Sequence, residues 1–197
     1  MSAAQKLLVS PQEYLVRERA AEIKSEYIRG EIFAMSGATW EHTLIATNIA
    51  SELRQRLKGG PCRVFSSDLR VKAEKAGHYA YPDVTVVCEE PKFEDNFFDT
   101  LLNPKVIVEV LSPSTEKYDR GEKFRSYRTL PSLQEYVLVS QDGPMAECFV
   151  RQPNDTWVLT AFAGLNADLP FESLSIRIPF AEVYAKVTFP TPPAAPQ

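Results

Sequence analysis

Two runs dense in valine and isoleucine constrain the fold of this chain more than any other feature. They are residues 79–87 (YAYPDVTVV) and 104–111 (PKVIVEVL). Short β-branched runs of this kind are typical of central strands that are buried on both faces. Each run nevertheless carries a carboxylate, Asp83 in the first and Glu109 in the second. Because a buried carboxylate without a partner is costly, these two acids are the first candidates for chemistry.

Helices are predicted before, between and after the strands. Ser10-Pro11 has the pattern of a helix start, and Thr39 precedes a long stretch with apolar residues every four positions. A third helix is predicted to begin near Ser114 and to stop at Pro131, and Arg29-Gly30 indicates a hairpin. The remaining strand candidates are 62–72 (CRVFSSDLRVK), 133–140 (LQEYVLVS), 145–151 (MAECFVR), 156–162 (TWVLTAF) and 174–178. This order predicts an α/β or α+β fold, with a mixed β-sheet flanked by helices.

Length and composition are those of one globular domain. The chain has 197 residues, of which 44% are hydrophobic and 24% charged, so disorder is excluded over most of its length. We predict a single domain over 1–187 and a Pro-rich tail over 188–197 (TFPTPPAAPQ), extended or disordered. The formal net charge of -4 excludes a nucleic-acid binder that is basic over its whole surface, although not a local basic patch.

The sequence predicts a cytoplasmic protein without a membrane partner. It contains no apolar run that approaches the roughly 18 residues of a membrane span, and its first residues do not resemble a secretory signal. The three cysteines are Cys62, Cys88 and Cys148, which are odd in number and widely spaced. This pattern predicts no disulfide framework and fits a reducing compartment, with Cys88 and Cys148 as small core residues.

Asp83 and Glu109 suggest a metal site. Asp83 starts its strand and Glu109 lies near the end of the next one, so antiparallel pairing of the two strands would bring both carboxylates to the same end of the sheet. Two convergent carboxylates suit a hard divalent cation such as Mg²⁺, which prefers oxygen ligands. The alternative is that Glu109 pairs with an Arg or Lys and that Asp83 merely begins a strand. Spacing alone does not decide between these interpretations.

Lys123 is the third candidate. Asp119, Lys123 and Tyr127 recur every four residues, which places them on roughly one side of the helix that follows Glu109. A lysine directed at the two carboxylates could balance their charge and steer a phosphate or an attacking water, whereas the alternative is a solvated Asp119–Lys123 pair. The same helix carries five basic residues that could meet a phosphate backbone: Lys117, Arg120, Lys123, Arg125 and Arg128.

Two further polar residues are possible accessories. His42 falls in the first turn of the long helix, where a lone histidine is more often a core or capping residue than a base. With only His78 besides it, in a loop next to Gly77, a histidine metal cluster is not expected. Asp68 is predicted to be a strand carboxylate that faces a nearby arginine or lines the same cleft. The sequence has no Gly-rich phosphate loop, dinucleotide fingerprint or GxSxG elbow.

The combination of YPDVTVVC, NPKVIVEVLSPSTEKYDRGEKFRSY and LQEYVLV resembles the Uma-type family of restriction-endonuclease domains. The segments YIRGEIFAMSGAT and PCRVFSSDLRV match that family too, so the resemblance covers roughly residues 10–185. It implies a restriction-endonuclease-like core of the PD-(D/E)XK type. Such a core is a mixed sheet flanked by helices, with a Mg²⁺ or Mn²⁺ site for hydrolysing phosphodiester bonds in DNA.

The resemblance also implies roles for individual residues. Asp83 matches the PD element and Glu109 the (D/E) position, so both would hold the metal, together with the carbonyl of Val110. This chain departs from the motif at Leu111, which occupies the position of the lysine, and Lys123 on the following helix is the substitute that the family pattern offers. An acidic helix residue often completes such sites, with Glu31, Glu41 and Glu52 as candidates.

Two functions therefore follow as hypotheses. The first is a Mg²⁺-dependent endonuclease that acts on DNA, with RNA not excluded, and with a homodimer expected by analogy with nucleases that cut both strands. The second is a degenerate member of the fold that binds nucleic acid or a protein partner without cutting. Replacement of the motif lysine by Leu111 and the negative net charge favour the second, whereas the two carboxylates within apolar strands favour the first.

Overall fold

The computed structural model describes residues 8–189, which form five α-helices and thirteen strands. The strands are β1 (Ser25–Ile28), β2 (Glu31–Ala34), β3 (Arg63–Ser66), β4 (Arg70–Ala73), β5 (His78–Ala80), β6 (Val84–Val87), β7 (Thr100–Leu101), β8 (Val106–Leu111), β9 (Glu135–Ser140), β10 (Met145–Arg151), β11 (Trp157–Ala163), β12 (Asp168–Phe171) and β13 (Ile176–Pro179). The helices are α1 (Pro11–Ala20), α2 (Trp40–Arg56), α3 (Glu116–Tyr118), α4 (Phe124–Tyr127) and α5 (Phe180–Val183). A π-helical segment, Asp119–Lys123, joins α3 to α4. The predicted tail lies outside the described residues from position 190 onward.

Most strands belong to two mixed sheets. The larger sheet has the order β11-β10-β9-β8-β6-β3, in which β8 and β9 are parallel and the other neighbours antiparallel. The smaller sheet has the order β2-β1-β5-β4-β7, and β12 and β13 form a separate hairpin. Helices pack against these sheets, which confirms the predicted fold class. None of the helices over residues 8–189 is long and apolar enough to cross a membrane.

Two predicted strands are each divided between the two sheets. The segment 62–72 was predicted as one strand, but a turn that contains Asp68 separates β3 in the larger sheet from β4 in the smaller one. The segment 79–87 is divided in the same way into β5 and β6. Pro82 lies at this second crossing, where it cannot donate a ladder hydrogen bond. Asp83 therefore stands at the junction of the two sheets.

The central strands of the larger sheet, β6, β8 and β9, are buried on both faces. On one face, the apolar side of α2, with Ile45 and Ile49, packs against alternate valines of β6 and β8. On the other face, Ile107 and Leu111 of β8 pack with Tyr127 of α4. Because side chains alternate along a strand, Glu109 shares the face of Ile107 and Leu111. The sheet thus directs Glu109 toward the helical segment 116–127.

Local signals at the helix ends are mostly confirmed. Ser10 forms a capping box with Glu13 at the start of α1, and the hydroxyl of Thr39 accepts a hydrogen bond from the backbone N–H of His42 in α2. The predicted helix after Glu109 is shorter than expected and is interrupted by the π-helical segment. Such segments insert an extra residue per turn and occur often at functional sites.

The prediction about the cysteines is wrong. Cys62 and Cys88 form a disulfide. The register of β3 and β6 pairs Arg63 with Val87, and this pairing brings the adjacent Cys62 and Cys88 opposite each other. The pairing removes the cysteine argument for a reducing compartment, while Cys148 is a free, buried core residue as expected.

Candidate active site

Asp83 and Glu109 lie side by side. Strands β6 and β8 are antiparallel and their register pairs Val84 with Val108, so Asp83 and Glu109 both follow this last pair at the same end of the two strands. Both residues line one cleft. The structure therefore confirms that both residues lie at one end of the sheet, while their role as metal ligands stays a prediction.

Asp83 is held by two hydrogen bonds. Its Oδ2 accepts a bond of 2.7 Å from the backbone N–H of Val110, and its Oδ1 lies 3.0 Å from Nε2 of His42. The second contact brings the first turn of α2 to the site, so His42 is part of it rather than a core histidine. Its Nδ1 is buried and has no described hydrogen-bond partner.

Lys123 reaches Glu109 from the helical segment. Its Nζ lies 2.9 Å from Oε1 of Glu109 and 3.4 Å from Oδ1 of Asp119, and the Tyr127 hydroxyl donates to the same Glu109 oxygen at 3.3 Å. Lys123 is only 5% exposed, whereas Arg120 is half-buried and pairs with Glu116 and Glu147. The predicted direction of Lys123 is confirmed, and a solvated Asp119–Lys123 pair is excluded.

Glu26 is the site residue that the sequence did not reveal. It lies on β1 of the smaller sheet, is 7% exposed, and places Oε1 at 3.3 Å from the Lys123 ammonium. The Tyr118 hydroxyl donates to its Oε2 at 2.8 Å, and the backbone N–H of Tyr81 donates to its Oε1 at 3.4 Å. The only signal was its place in SEYIRG, where strand alternation puts it on the same face as Ile28.

Four other predicted acids do not line the cleft. Glu31 begins β2, Glu41 lies in the first turn of α2, and Glu52 pairs with Arg56. Asp68 is exposed in the turn between β3 and β4, where it forms an ion pair with Lys24. The prediction of a strand carboxylate that faces a nearby arginine or lines the cleft is therefore wrong: Asp68 lies in a turn, because the two strands beside it separate into different sheets.

Charges within this cluster shift one another. Burial raises the pKa of Glu109 well above its usual range; the Lys123 charge opposes this rise, and Asp119 and Asp83 add to it. Burial alone would lower the pKa of Lys123, but the carboxylates of Glu109 and Glu26 outweigh burial and raise it. Lys123 is therefore a permanent buried cation at the centre of an acidic cluster. Strongly shifted groups of this kind in a cleft are typical of functional sites.

The donor set at this end of the sheet fits a hard cation. Asp83 and Glu109 offer carboxylate oxygens as hard ligands, and Val110 also lines the cleft. Mg²⁺ is usually bound through one or two carboxylates plus water and substrate oxygens. Within residues 8–189 no cluster of three or more His, Cys, Asp or Glu is arranged to hold a metal, so a richer protein ligand set is not present there.

The cleft has a volume of about 1380 Å³ and is bordered by both sheets. Its lining comes from the β1–β2 hairpin and the loop that follows it, from residues between 112 and 123, and from α2 and β3. Among its described lining residues, six side chains are acidic and three are basic: Glu22, Glu26, Asp83, Glu109, Asp119 and Glu122 against Lys24, Arg54 and Lys123. A polyanion would therefore be repelled unless cations were bound.

His78 adjoins the cluster and lies on strand β5, not in the predicted loop. It is fully buried, its Nε2 lies 2.8 Å from the Tyr118 hydroxyl, and its Nδ1 has no described hydrogen-bond partner. Burial lowers its pKa to about 4; Glu26 opposes this shift, and Lys123 and Arg29 add to it.

The low pKa of His78 predicts a pH-dependent stability. An unfolded histidine titrates near ~6.5, so between about pH 6.5 and pH 4 the unfolded chain binds more protons than the folded one. The stabilisation should be complete above about pH 6.5 and should fall by about 3 kcal/mol as the pH drops to about 4. The free energy of unfolding, measured with urea, should fall more steeply with decreasing pH for the unchanged protein than for His78→Gln. The same dependence on pH in both proteins would contradict the low pKa of His78.

Comparison with known proteins agrees with this architecture. Residues 11–180 match the Uma2 family, whose description is "Putative restriction endonuclease". The chain is 38% identical over 176 residues to a Synechocystis protein, sll1609, covering 89% of this chain and 99% of the relative. It is 34% identical over 181 residues to slr1290 from the same organism, covering 92% and 94%. Both relatives are described as uncharacterized.

A solved structure shares the fold. It is described as "a putative nuclease belonging to DUF820" from Anabaena variabilis, and it matches with a TM-score of 0.74 at 19% identity. The match covers 90% of this chain and 98% of the other. Together with the family match over nearly the whole domain, these findings show that the chain belongs to the Uma2 family of restriction-endonuclease-like proteins.

Proposed function

We propose that this protein is a metal-dependent endonuclease that hydrolyses phosphodiester bonds in DNA, with RNA as a possible substrate. The observation that carries the proposal is a buried lysine, Lys123, at 2.9 Å from a strand carboxylate, Glu109, which lines the same cleft as Asp83. Lysine and two acids are the residue types of the PD-(D/E)XK motif. Here the lysine comes from the helix, while Leu111 fills its usual place on the strand.

Asp83, Glu109 and the Val110 carbonyl are the proposed ligands of Mg²⁺ or Mn²⁺. Since Lys123 and Tyr127 both contact Oε1 of Glu109, we infer that Oε2 is the oxygen directed to the ion. The ion, when bound, would lower the pKa of a water and stabilise negative charge on the scissile phosphate.

The protein's own residues position these groups. The hydrogen bonds from Val110 and His42 fix the orientation of Asp83, and Glu26 and Asp119 keep Lys123 charged and in place. The Lys123 ammonium can then orient an attacking water or a phosphate oxygen. A fixed charge in a buried site contributes more to catalysis than the same charge in water.

The alternative of binding without cutting is disfavoured by the acidic lining of the cleft. A surface that only holds a polyanion gains from basic residues, whereas here acids outnumber bases two to one among the described lining residues. Such a lining suits a polyanion that arrives with divalent cations. A homodimer and a cytoplasmic location stay predictions from the sequence.

Binding and cleavage of nucleic acid should therefore both require a divalent cation. With 5′-labelled DNA and circular plasmid as substrates, we expect cleavage in Mg²⁺ or Mn²⁺ and none in EDTA. Ca²⁺ is expected to support binding, measured by fluorescence anisotropy, and buffers should be matched in ionic strength. Binding of equal strength in EDTA, or no cleavage of any DNA or RNA tested, would contradict the proposed function.

A further inference from the structure

The β1–β2 hairpin places an exposed aromatic ring beside the charged cluster. In its register Glu26 is paired directly with Phe33, and directly paired residues project from the same face of a sheet, about 5 Å apart at Cβ. Glu26 contacts Lys123, so Phe33 is paired across the hairpin with a residue of the cluster. By strand alternation Tyr27 faces the other way, where it packs with Tyr14 and Tyr79.

The face of the hairpin that carries Phe33 combines apolar residues with the charged Glu26 and Glu31, and it borders the cleft. Ile28 alternates with Glu26 on β1, and Met35 follows Phe33 by two residues, so all of them share this face. Phe33, Ile28 and Met35 all line the cleft, and Phe33 is 47% exposed. Together these side chains give the charged cleft an apolar patch that a ligand with an apolar face would cover.

We propose that Phe33, supported by Ile28 and Met35, is a stacking platform for an unpaired nucleobase. The inference rests on the proposed nuclease function and specifies its substrate as single-stranded nucleic acid, or a duplex with an unpaired nucleotide. A nucleotide has both required parts, because its phosphate suits the ion and Lys123 while its base offers an apolar face.

An intact duplex does not satisfy this arrangement. Its bases are stacked on one another, and their flat faces are inaccessible to a side chain unless the nucleotide is unpaired or flipped. Proteins that bind single strands commonly place aromatic rings beside the path of the backbone, and stacking on such a ring tolerates any base. The neighbouring rim residue Ile23, 67% exposed, and the ammonium of Lys24 extend the same wall of the cleft.

The test compares Phe33→Ala, Phe33→Leu and Phe33→Trp. The probes are a fluorescein-labelled single-stranded oligonucleotide of mixed sequence and the matching blunt-ended, fully paired duplex of two separate strands, bound in Ca²⁺ and cut in Mg²⁺. We expect Phe33→Ala to weaken single-strand binding by about 5- to 100-fold and Phe33→Leu to weaken it less, while Phe33→Trp retains it. Because Phe33 is half exposed, thermal melts should change little.

Phe97→Ala is the matched control. Phe97 is also an exposed aromatic residue, at 70%, but it lies outside the cleft lining and packs on the Arg19 guanidinium. Its replacement should leave binding and cleavage of both probes unchanged. If Phe33→Ala affects neither probe, or both equally, the stacking inference is overturned while the nuclease function stands. If the unchanged protein neither binds nor cuts either probe, both proposals fail.

Discussion

Asp83→Asn and Glu109→Gln should each reduce Mg²⁺- or Mn²⁺-dependent cleavage by at least about 100-fold while the fold is retained. Each change removes one negative charge from the proposed ion site but keeps the size and shape of the side chain. An amide oxygen at position 83 can still accept the hydrogen bond from Val110, and Lys123 keeps its contacts with Glu26 and Asp119. The loss should therefore appear in the cleavage rate and not in the melting temperature.

The measurement is the initial rate of plasmid nicking, with thermal melts of each variant in Mg²⁺ and in EDTA. Asp68→Asn is the matched control, since Asp68 is an exposed acid that lies outside the cleft lining. The unchanged protein should gain melting temperature from Mg²⁺, and the two site variants should gain less. A variant that cuts at the original rate, with the same gain from Mg²⁺, would remove that residue from the metal site.

Lys123→Met should have the largest effect on stability, a loss of about 3–5 kcal/mol in the free energy of unfolding. Lys123 lies within 3.4 Å of carboxylate oxygens of Glu109, Glu26 and Asp119, all of them buried. Without the lysine these acids would be left without the cation that they share. Mg²⁺ should recover part of the loss, because an ion bound to the folded state replaces some of the missing charge.

Urea unfolding of Lys123→Met and of the double variant Lys123→Met/Glu109→Gln would test this explanation. The double variant should be less destabilised than the single one, because it has one fewer unpaired acid. Lys117→Met is the control, since Lys117 is an exposed lysine of the same helical segment. If Lys123→Met is as stable as that control, the stability of the fold does not depend on the lysine charge beside the buried acids.

Several parts of the site could be predicted because their signals are local. The apolar runs around Asp83 and Glu109 form β6 and β8, which follow one another in chain order within the larger sheet because the short β7 between them belongs to the smaller one. Strands that follow one another are often neighbours, so their pairing was predictable. Lys123 was found through its four-residue spacing from Asp119 and Tyr127, which holds although the segment is partly π-helical. These inferences needed only the period of each element and the direction of the chain.

Other parts depended on contacts that no local pattern encodes. Glu26 reaches Lys123 from the smaller sheet, 97 positions away in the sequence. The disulfide between Cys62 and Cys88 follows from the register of β3 and β6, which spacing along the chain does not reveal. His42 contacts Asp83 because α2 packs against the sheet that contains β6. From the sequence alone, the same histidine could equally have been a capping residue.

By itself, then, the sequence determined the kinds of elements and which acids lie in apolar strands, because hydrophobic periodicity and strand order are properties of neighbouring residues. The tertiary structure decided where the chain crosses between sheets, at the turn with Asp68 and at Pro82. It thereby excluded Asp68 from the cleft and brought Glu26 and Phe33 to it. The physical reason is that burial and strand pairing between distant segments depend on how all elements pack together, and short-range patterns do not contain that information.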